Sequence, residues 1–156
     1  MTVTISIEPA VQDDVRTFVA ALNDFLLPLS PEEFQFGLTV EQMADADTTV
    51  FVARDAAGHA LGMGALKAHS DGLGEVKRMY VAPQARGKRI GNAILDAISA
   101  EAQAKGLTAL VLETGNTDAM ADAFRLYERY GFTRRGAFHD YPDSGHSRFY
   151  EKKLDR

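Results

Sequence analysis

The segment from Met79 to Leu95 constrains the fold of this chain more than any other part of the sequence. It reads Met-Tyr-Val-Ala-Pro-Gln-Ala-Arg-Gly-Lys-Arg-Ile-Gly-Asn-Ala-Ile-Leu. The apolar run that ends at Val81 is typical of a strand, Pro83 ends that strand, and a helix is predicted to begin near Ile90. A strand, a short glycine-containing loop and a helix are therefore expected to follow one another directly.

The loop between this strand and this helix concentrates positive charge. Arg86, Lys88 and Arg89 lie within four residues, although the chain as a whole carries 17 Lys and Arg against 22 Asp and Glu. The first N–H groups of a helix have no internal partners, and Gly87 and Gly91 allow a ligand to approach the backbone. We therefore predict a phosphate-binding loop for one small polyanionic ligand, and the net charge of -5 makes a nucleic-acid partner unexpected. The alternative interpretation is a solvated basic turn before an ordinary helix.

Length and composition indicate a single domain over residues 1–156. No stretch approaches about 18 uninterrupted apolar residues, so no transmembrane helix and no membrane partner are expected. The segment from Met1 to Pro9 lacks the basic start and long apolar run of a signal peptide, which favours a cytoplasmic location. The absence of cysteine excludes disulfides, thiolate metal sites and a cysteine nucleophile. No metal is predicted, because the four histidines do not have the spacing of metal ligands. They are His59, His69, His139 and His146.

Hydrophobic periodicity predicts a mixed α/β domain in the order β-α-α-β-β-β-α-β-α-β-β. A first helix of about four turns carries apolar residues from Val15 to Leu26 and ends at Pro28. A second helix is expected from Ser30, as its N-cap, to about Ala44. The other two helices are expected at residues 88–105 and at about 123–130. The strands are expected at residues 3–7, 48–54, 60–68, 75–81, 107–112, 132–135 and 147–153.

Two motifs resemble those of the GNAT superfamily of N-acetyltransferases. Residues 84–91, Gln-Ala-Arg-Gly-Lys-Arg-Ile-Gly, resemble the acetyl-CoA signature Gln/Arg-x-x-Gly-x-Gly/Ala, with Arg89 at the position of the second glycine or alanine. Residues 126–132, Leu-Tyr-Glu-Arg-Tyr-Gly-Phe, resemble the family's Leu-Tyr-x-x-x-Gly-Phe element. The order of elements over residues 3–153 is also similar to that of the family. The resemblance implies a GNAT-like fold in which two neighbouring parallel strands in the centre of the sheet splay apart.

The same resemblance implies acetyl-CoA (coenzyme A) as the cofactor and suggests which residues bind it. The pantetheine arm is expected to pair with the backbone of Met79, Tyr80 and Val81, as an added strand would. Asn116 is expected to contact the same arm. Arg89 either directs its guanidinium at a phosphate or points to solvent. The pyrophosphate is expected at the loop and the helix N-terminus, on Arg86, Gly87, Lys88, Arg89, Ile90 and Gly91.

Acetyl transfer to an amine requires a base for the amine and an acid for the departing thiolate. The resemblance implies that Tyr127 lies beside the cofactor sulfur and protonates the thiolate; the alternative is a packed core aromatic. Glu113 and Glu75 stand where family members carry a base, on the fifth and fourth strands. Burial after an apolar run is expected to raise the pKa of Glu113. The sequence does not decide whether the base is Glu113, Glu75 or a water chain. The alternative for each glutamate is a structural role, as a hydrogen-bonded acid at the end of a strand.

The acceptor is expected to contact the first two helices, Lys77, Arg78 and the tail around Tyr141. Lys77 or Arg78 is expected to bind an acceptor carboxylate, or else to pair with a neighbouring acid on the sheet. Without a cysteine nucleophile, direct transfer in a ternary complex is expected, to the primary amine of a small molecule such as an amino acid. The alternatives are a protein or peptide N-acetyltransferase and a non-catalytic acyl-CoA-binding module. The sequence leaves the formation of a homodimer open.

Overall fold

A mixed sheet of seven strands forms the centre of the molecule in the computed structural model, which describes residues 2–155. The strands are β1 (Val3–Ile7), β2 (Thr48–Asp55), β3 (Ala60–Ala68), β4 (Leu73–Val81), β5 (Ala109–Gly115), β6 (Thr133–Arg135) and β7 (Ser147–Lys153). Their order in the sheet is β1-β2-β3-β4-β5-β7-β6, and β4 and β5 are the neighbours that run parallel. The predicted mixed α/β class is confirmed.

Helices cover both faces of this sheet. Along β2, Val50 and Val52 pack with the first two helices, whereas Phe51 and Ala53 face the last two. This alternation follows from the two-residue period of a strand, and it gives the sheet two buried faces. Among residues 2–155, no helix is both long enough and apolar enough to cross a membrane. The helices are α1 (Asp13–Leu26), α2 (Val40–Met43), α3 (Ile90–Ala104) and α4 (Ala121–Tyr130).

The predicted helix over residues 30–44 is wrong. The chain there forms one 3-10 turn at Glu32–Phe34, an extended stretch, and then the single turn of α2. The side chain of Gln35 donates hydrogen bonds to backbone carbonyls at the end of α1 and in the turn after it, which holds the stretch out of a helix. A capping box formed by Thr39 and Gln42 then starts α2 as a separate element.

The bounds of β5 differ from the prediction in a way that matters for the site. The N–H of Leu107 donates to the carbonyl of Ala102 at the end of α3, and the strand begins at Ala109 rather than at residue 107. The strand continues to Gly115, so Glu113 lies inside it rather than after it. The other strands, α3 and α4 lie within two residues of their predicted bounds.

β4 and β5 separate after a short parallel contact. They form three residue pairs, from Leu73↔Ala109 to Glu75↔Val111. Beyond these pairs β4 stays with β3 and β5 stays with β7, so the facing edges of the two strands are left without sheet partners. The predicted splay of two central parallel strands is confirmed.

A β-bulge in β4 lies beside this opening. Between the pairs Met63↔Tyr80 and Ala65↔Lys77, β4 contains one residue more than β3. Arg78 lies in this interval with a left-handed backbone φ of 55°. An extra residue reverses the alternation of side chains along a strand. Lys77 and Arg78 are consecutive and yet both face the opening.

Ile94 anchors α3 to the sheet, where its side chain is 0% exposed. We expect Ile94→Ala to lower the free energy of unfolding by about 2–5 kcal/mol, because it removes buried methyl groups and leaves a cavity. The matched control is Gln103→Ala on the exposed side of the same helix, with an expected change within about 0.5 kcal/mol. Urea denaturation followed by circular dichroism measures both changes. Equal losses in the two variants would contradict this packing of α3.

Candidate active site

A cavity of about 370 Å³ lies where β4 and β5 separate. Both strands contribute to its wall, the end of α1 and the extended chain after it cover it, and α4 closes one side. Its volume lies in the range of pockets that bind small molecules. Of the residues singled out from the sequence, those that line it are Lys77, Arg78, Met79, Glu113 and Tyr127.

Tyr127 reaches the cavity from α4. Its ring is buried and packs against Phe132 and Tyr150, with centroid distances of 5.7 and 6.1 Å. Burial raises the pKa of the Tyr127 hydroxyl, and the negative charge of Glu113 raises it further. The hydroxyl is protonated at neutral pH, as in any tyrosine, and the raised pKa makes it a weaker acid; its position at the cavity is what would allow it to donate a proton.

Glu113 faces the same cavity from β5. Its Oε2 accepts a hydrogen bond of 2.6 Å from the Ser147 hydroxyl of β7. Burial is the largest influence on this carboxyl and raises its pKa; the Ser147 hydrogen bond and the charge of Lys77 oppose that rise. The predicted direction of the pKa shift is confirmed. A carboxylate with a raised pKa and a cavity in front of it is suited to accept a proton.

Glu75 has a different environment, because the residue is 3% exposed and its carboxylate already has several polar partners. The Nε2 of His69 lies 2.9 Å from Oε1, and the Nζ of Lys77 lies 3.3 Å from Oε2. The Tyr141 hydroxyl donates a further hydrogen bond to Oε2. Glu75 is therefore the centre of a polar network beside the cavity, and the sequence did not reveal the part of His69 in it.

The histidine neighbours of Glu75 form a small cluster that sequence spacing did not reveal. The rings of His69 and His139 stack with centroids 4.1 Å apart, and the Nε2 of His139 lies 2.8 Å from a carboxylate oxygen of Asp71. One ligand atom from each of His69, Glu75 and His139 lies within 4.8 Å of the others. Hydrogen bonds to the two carboxylates hold this cluster together, and the expectation of no metal stays a prediction.

Lys77 and Arg78 have contrasting surroundings. The Nζ of Lys77 donates to the Tyr141 hydroxyl at 2.6 Å in addition to its ion pair with Glu75. Tyr141 in turn has its pKa raised by burial and by the charge of Glu75. Arg78 is 7% exposed, and its guanidinium donates to the side-chain oxygen of Asn23 on α1. The sequence left two roles open for these cations, binding an acceptor carboxylate or pairing with an acid of the sheet. The structure shows the second for Lys77, which pairs with Glu75.

The strand residues expected beside the pantetheine arm lie along the unpaired edge of β4. Met79 lines the cavity and also packs towards α3. The ring of Tyr80 faces α1 and lies 5.3 Å from that of Phe18. The carbonyl of Val81 accepts a hydrogen bond of 3.1 Å from the Nε of Arg86, so this arginine folds back over the end of the strand.

The predicted phosphate loop is solvent-exposed. Gly87 has a φ of 79° and Arg89 has a φ of 61°, so two residues of the loop have a left-handed backbone conformation. This conformation is unfavourable for an arginine, whereas glycine, one of the two residues that the acetyl-CoA signature carries at that position, adopts it readily. Lys88 is also exposed, whereas Ile90 is buried in the core at the start of α3.

Gly91 has a different reason to be glycine from the one expected. A Cβ at this residue would lie 2.9 Å from the Cδ2 of Leu126, so its absence allows α3 and α4 to pack closely.

Asn116, expected at the pantetheine arm, is exposed and outside the wall of the cavity. Its amide contacts the carbonyl of Gly145 and the guanidinium of Arg148, each at 3.3 Å.

Comparisons with known proteins agree with this architecture. A family model described as the acetyltransferase (GNAT) domain matches residues 46–134. An IAA acetyltransferase of Azospirillum brasilense is 42% identical over 153 residues, which cover 97% of this chain and 98% of the relative.

Solved structures give the same result for the fold. A protein of Klebsiella pneumoniae described as a candidate acyl-CoA N-acyltransferase superposes with a TM-score of 0.82, at 31% identity and over 98% of both chains. The PaiA N-acetyltransferase of Thermoplasma acidophilum, solved in complex with coenzyme A, has a TM-score of 0.69 at 17% identity, over 99% of this chain and 100% of that one. Because the family model spans more than half of the chain and the Azospirillum relative nearly all of it, this protein belongs to the GNAT family of acetyltransferases and is an acyltransferase.

Proposed function

We propose that this protein transfers the acetyl group of acetyl-CoA to the primary amine of a small molecule, by direct attack of the amine on the thioester. The observation that carries the proposal is that Glu113 from β5 and Tyr127 from α4 line one cavity, at the opening between the splayed strands. One group is suited to accept a proton and the other to donate one. The relative named IAA acetyltransferase supports acetyl as the transferred group.

The chain offers suitable surroundings for coenzyme A. Past Glu75, the edge of β4 that faces β5 has no sheet partner, so its backbone groups are available to an extended ligand. The exposed cations of residues 86–89 follow this edge and precede the N-terminus of α3, where an anion is favourable. The coenzyme A complex of the PaiA relative supports the same donor. When bound, acetyl-CoA supplies the thioester and a thiol leaving group.

We assign the base to Glu113 and the acid to Tyr127. Glu75 already has three polar partners, whereas the one side-chain hydrogen bond that Glu113 accepts within residues 2–155 comes from Ser147. Glu113 takes the proton that the amine loses as its nitrogen bonds to the carbonyl carbon. Tyr127 gives its proton to the sulfur when the carbon–sulfur bond breaks.

A screen of amine acceptors tests the proposal. Purified protein is mixed with acetyl-CoA and amino acids, polyamines, aminoglycosides or short peptides, and thiol release is followed. Transfer to a free small amine supports it. Transfer confined to peptides would instead favour a peptide N-acetyltransferase, and tight binding of acetyl-CoA without any turnover would favour a binding module.

The first prediction concerns the phosphate loop. Gly87→Val is expected to weaken coenzyme A binding about tenfold, because a β-branched residue disfavours the left-handed φ of this position and shifts the loop. Gly58→Val is the matched control, since Gly58 has a φ of 87° with open space around it, in the β2–β3 turn. Calorimetry measures both affinities. If Gly87→Val binds coenzyme A as tightly as the control, residues 86–91 are not the pyrophosphate site.

The second prediction concerns Tyr127. Tyr127→Phe is expected to keep the ring packing and coenzyme A affinity and to slow the chemical step about 100-fold, since water substitutes in part for the lost acid. Tyr130→Phe is the control on the same helix, because the Tyr130 hydroxyl bonds Asp96 and Ser99 instead of lining the cavity. Single-turnover kinetics measure the step directly. A wild-type rate in Tyr127→Phe would mean that this tyrosine is only a packed aromatic.

The third prediction concerns Glu113 and pH. A base works when ionised, so the wild-type kcat/KM is expected to fall as the pH drops through the raised pKa of Glu113, above the range of an ordinary glutamate. Glu113→Gln is expected to lower the rate by about 100-fold at neutral pH and to recover as the amine deprotonates by itself at high pH. The control is Glu32→Gln, which removes an exposed carboxylate from the cover of the same cavity. Parallel pH profiles for Glu113→Gln and the wild type would exclude this base.

A stability measurement gives an independent test of the Glu113 environment. Because its pKa is higher in the folded than in the unfolded state, the native protein binds this proton more tightly. Its contribution to stability is therefore present at low pH and lost as the pH rises through the folded pKa. Glu113→Gln cannot ionise, so it does not lose stability in this way. We expect the free energy of unfolding of the variant, relative to that of the wild type, to increase from pH 4 to pH 8 in urea melts. A constant difference would show that burial does not perturb this carboxyl.

A further inference from the structure

We propose that Arg78 binds a carboxylate of the acceptor, so that the substrates of this enzyme are amines that also carry a carboxylate group. The inference rests on the proposed function for the amine end of the acceptor and adds its anionic end. The carboxylate would pair with Arg78 on β4 while the amine faces Glu113 on β5, on opposite sides of one cavity.

The charge of Arg78 has no counter-charge in the described part of the chain. The residue is 7% exposed, and no carboxylate of residues 2–155 lies within ion-pair distance of its guanidinium. Its Nε is buried without a hydrogen-bond partner, and its side-chain hydrogen bond goes to Asn23, a neutral amide. A buried, unpaired charge is costly. Since the cation lines the cavity, an anion in that cavity would supply the missing partner.

Lys77 is a poorer candidate for the same task. Its ammonium group is paired with Glu75 and hydrogen-bonded to Tyr141, and its side chain is 10% exposed. A ligand carboxylate would have to compete with an acid that the protein already provides. The sequence pattern does not distinguish these consecutive cations, whereas their surroundings in the structure do.

Local structure around Arg78 is adapted to hold the guanidinium where it is. The β-bulge and the left-handed φ of 55° turn the side chain towards the cavity. Asn23 holds one edge of the guanidinium from α1. Gly37 lies against the other terminal nitrogen, where a Cβ would overlap the Nη1 of Arg78. Asn23 and Gly37 are therefore positioning residues, and the absence of a side chain at 37 leaves room for the guanidinium.

The number and shape of the charges favour a carboxylate over a phosphate. One guanidinium offers a single positive charge in a planar fork, which matches one carboxylate. Glu113 lines the same cavity and would repel a dianion more strongly than a monoanion. The predicted acceptor is therefore a small amino acid-like molecule with one free carboxylate.

Matched pairs of acceptors test this inference. Each of a set of amino acids is compared with its carboxamide, which keeps the amine and side chain and loses the negative charge, and kcat/KM is measured by thiol release. We expect the wild type to prefer the acid of the best pair by about 100-fold, because the amide leaves Arg78 buried and unpaired. Equal use of acids and amides by the wild type would overturn the inference and leave the proposed function standing.

Four variants assign the preference to a residue. Arg78→Met keeps the aliphatic volume and is expected to reduce the acid-to-amide ratio to near one, and Arg78→Lys to an intermediate value. Gly37→Ala displaces the guanidinium without removing it and is expected to reduce the same ratio. Lys77→Met is expected to retain the preference. If Lys77→Met loses the preference and Arg78→Met keeps it, the carboxylate site belongs to Lys77 and the inference is wrong.

Two further measurements separate this inference from a purely structural role and from a failure of the enzyme assay. If Arg78 serves a ligand, Arg78→Met should melt at or above the wild-type temperature; a lower melting temperature would show that the arginine stabilises the fold. Binding of N-acetyl amino acids and their amides to the protein with coenzyme A is measured by calorimetry. Arg78-dependent binding of the acids without any turnover would support the carboxylate site and overturn the proposed function, whereas no preference for the acids would overturn the site.

Discussion

The parallel pairing of β4 with β5 ends after three residue pairs, and every part of the site depends on this separation. Each strand keeps its other neighbour, β3 or β7, so the sheet opens without coming apart. The opening exposes backbone groups of β4 that a continuous sheet would satisfy, so they are available to water or to a ligand. It also makes room for the cavity between the strands, which α4 closes at one side and the chain after α1 covers. The unpaired edge of β4, where we propose that coenzyme A binds, and the cavity proposed for the acceptor thus arise from the same break in pairing.

The β-bulge in β4 determines which side chains enter that opening. Regular alternation would send Lys77 and Arg78 to opposite faces of the sheet, and one of them would then be buried against α3. The extra residue places both on the cavity side, while the backbone at Arg78 adopts a left-handed conformation that a non-glycine residue rarely takes. Strain of this kind persists where surrounding contacts fix the conformation, and here Asn23 and Gly37 flank the guanidinium. The local structure of the strand is therefore coupled to the charge in the cavity.

Much of the fold could be predicted because its signals are local. The alternation in β1, the glycines after α3 and α4, and the basic loop before α3 each specify an element from a few neighbouring residues. Residues 30–44 were predicted wrongly because a helix-start pattern competes there with side-chain bonds from Gln35 to carbonyls several residues earlier. The alternate spacing of Phe34, Phe36 and Leu38 is a strand-like signal that would have indicated the extended stretch. Contacts made across the sheet, such as Ser147 with Glu113, leave no such local pattern.

The ionisable groups around the cavity divide into those that the protein pairs and those that it leaves available. Glu75, Lys77 and Tyr141 satisfy one another, and the two stacked histidines extend that network away from the opening. Glu113 and Arg78 carry opposite charges in the same cavity, and within residues 2–155 they form no ion pair with each other. Two buried opposite charges would normally be expected to meet, because each is costly alone. In the function proposed here, holding them apart on separated strands leaves Glu113 for the amine of the acceptor and Arg78 for its carboxylate. Because Arg78 lies on β4 and Glu113 on β5, the separation of these strands is consistent with the absence of an ion pair between the two residues.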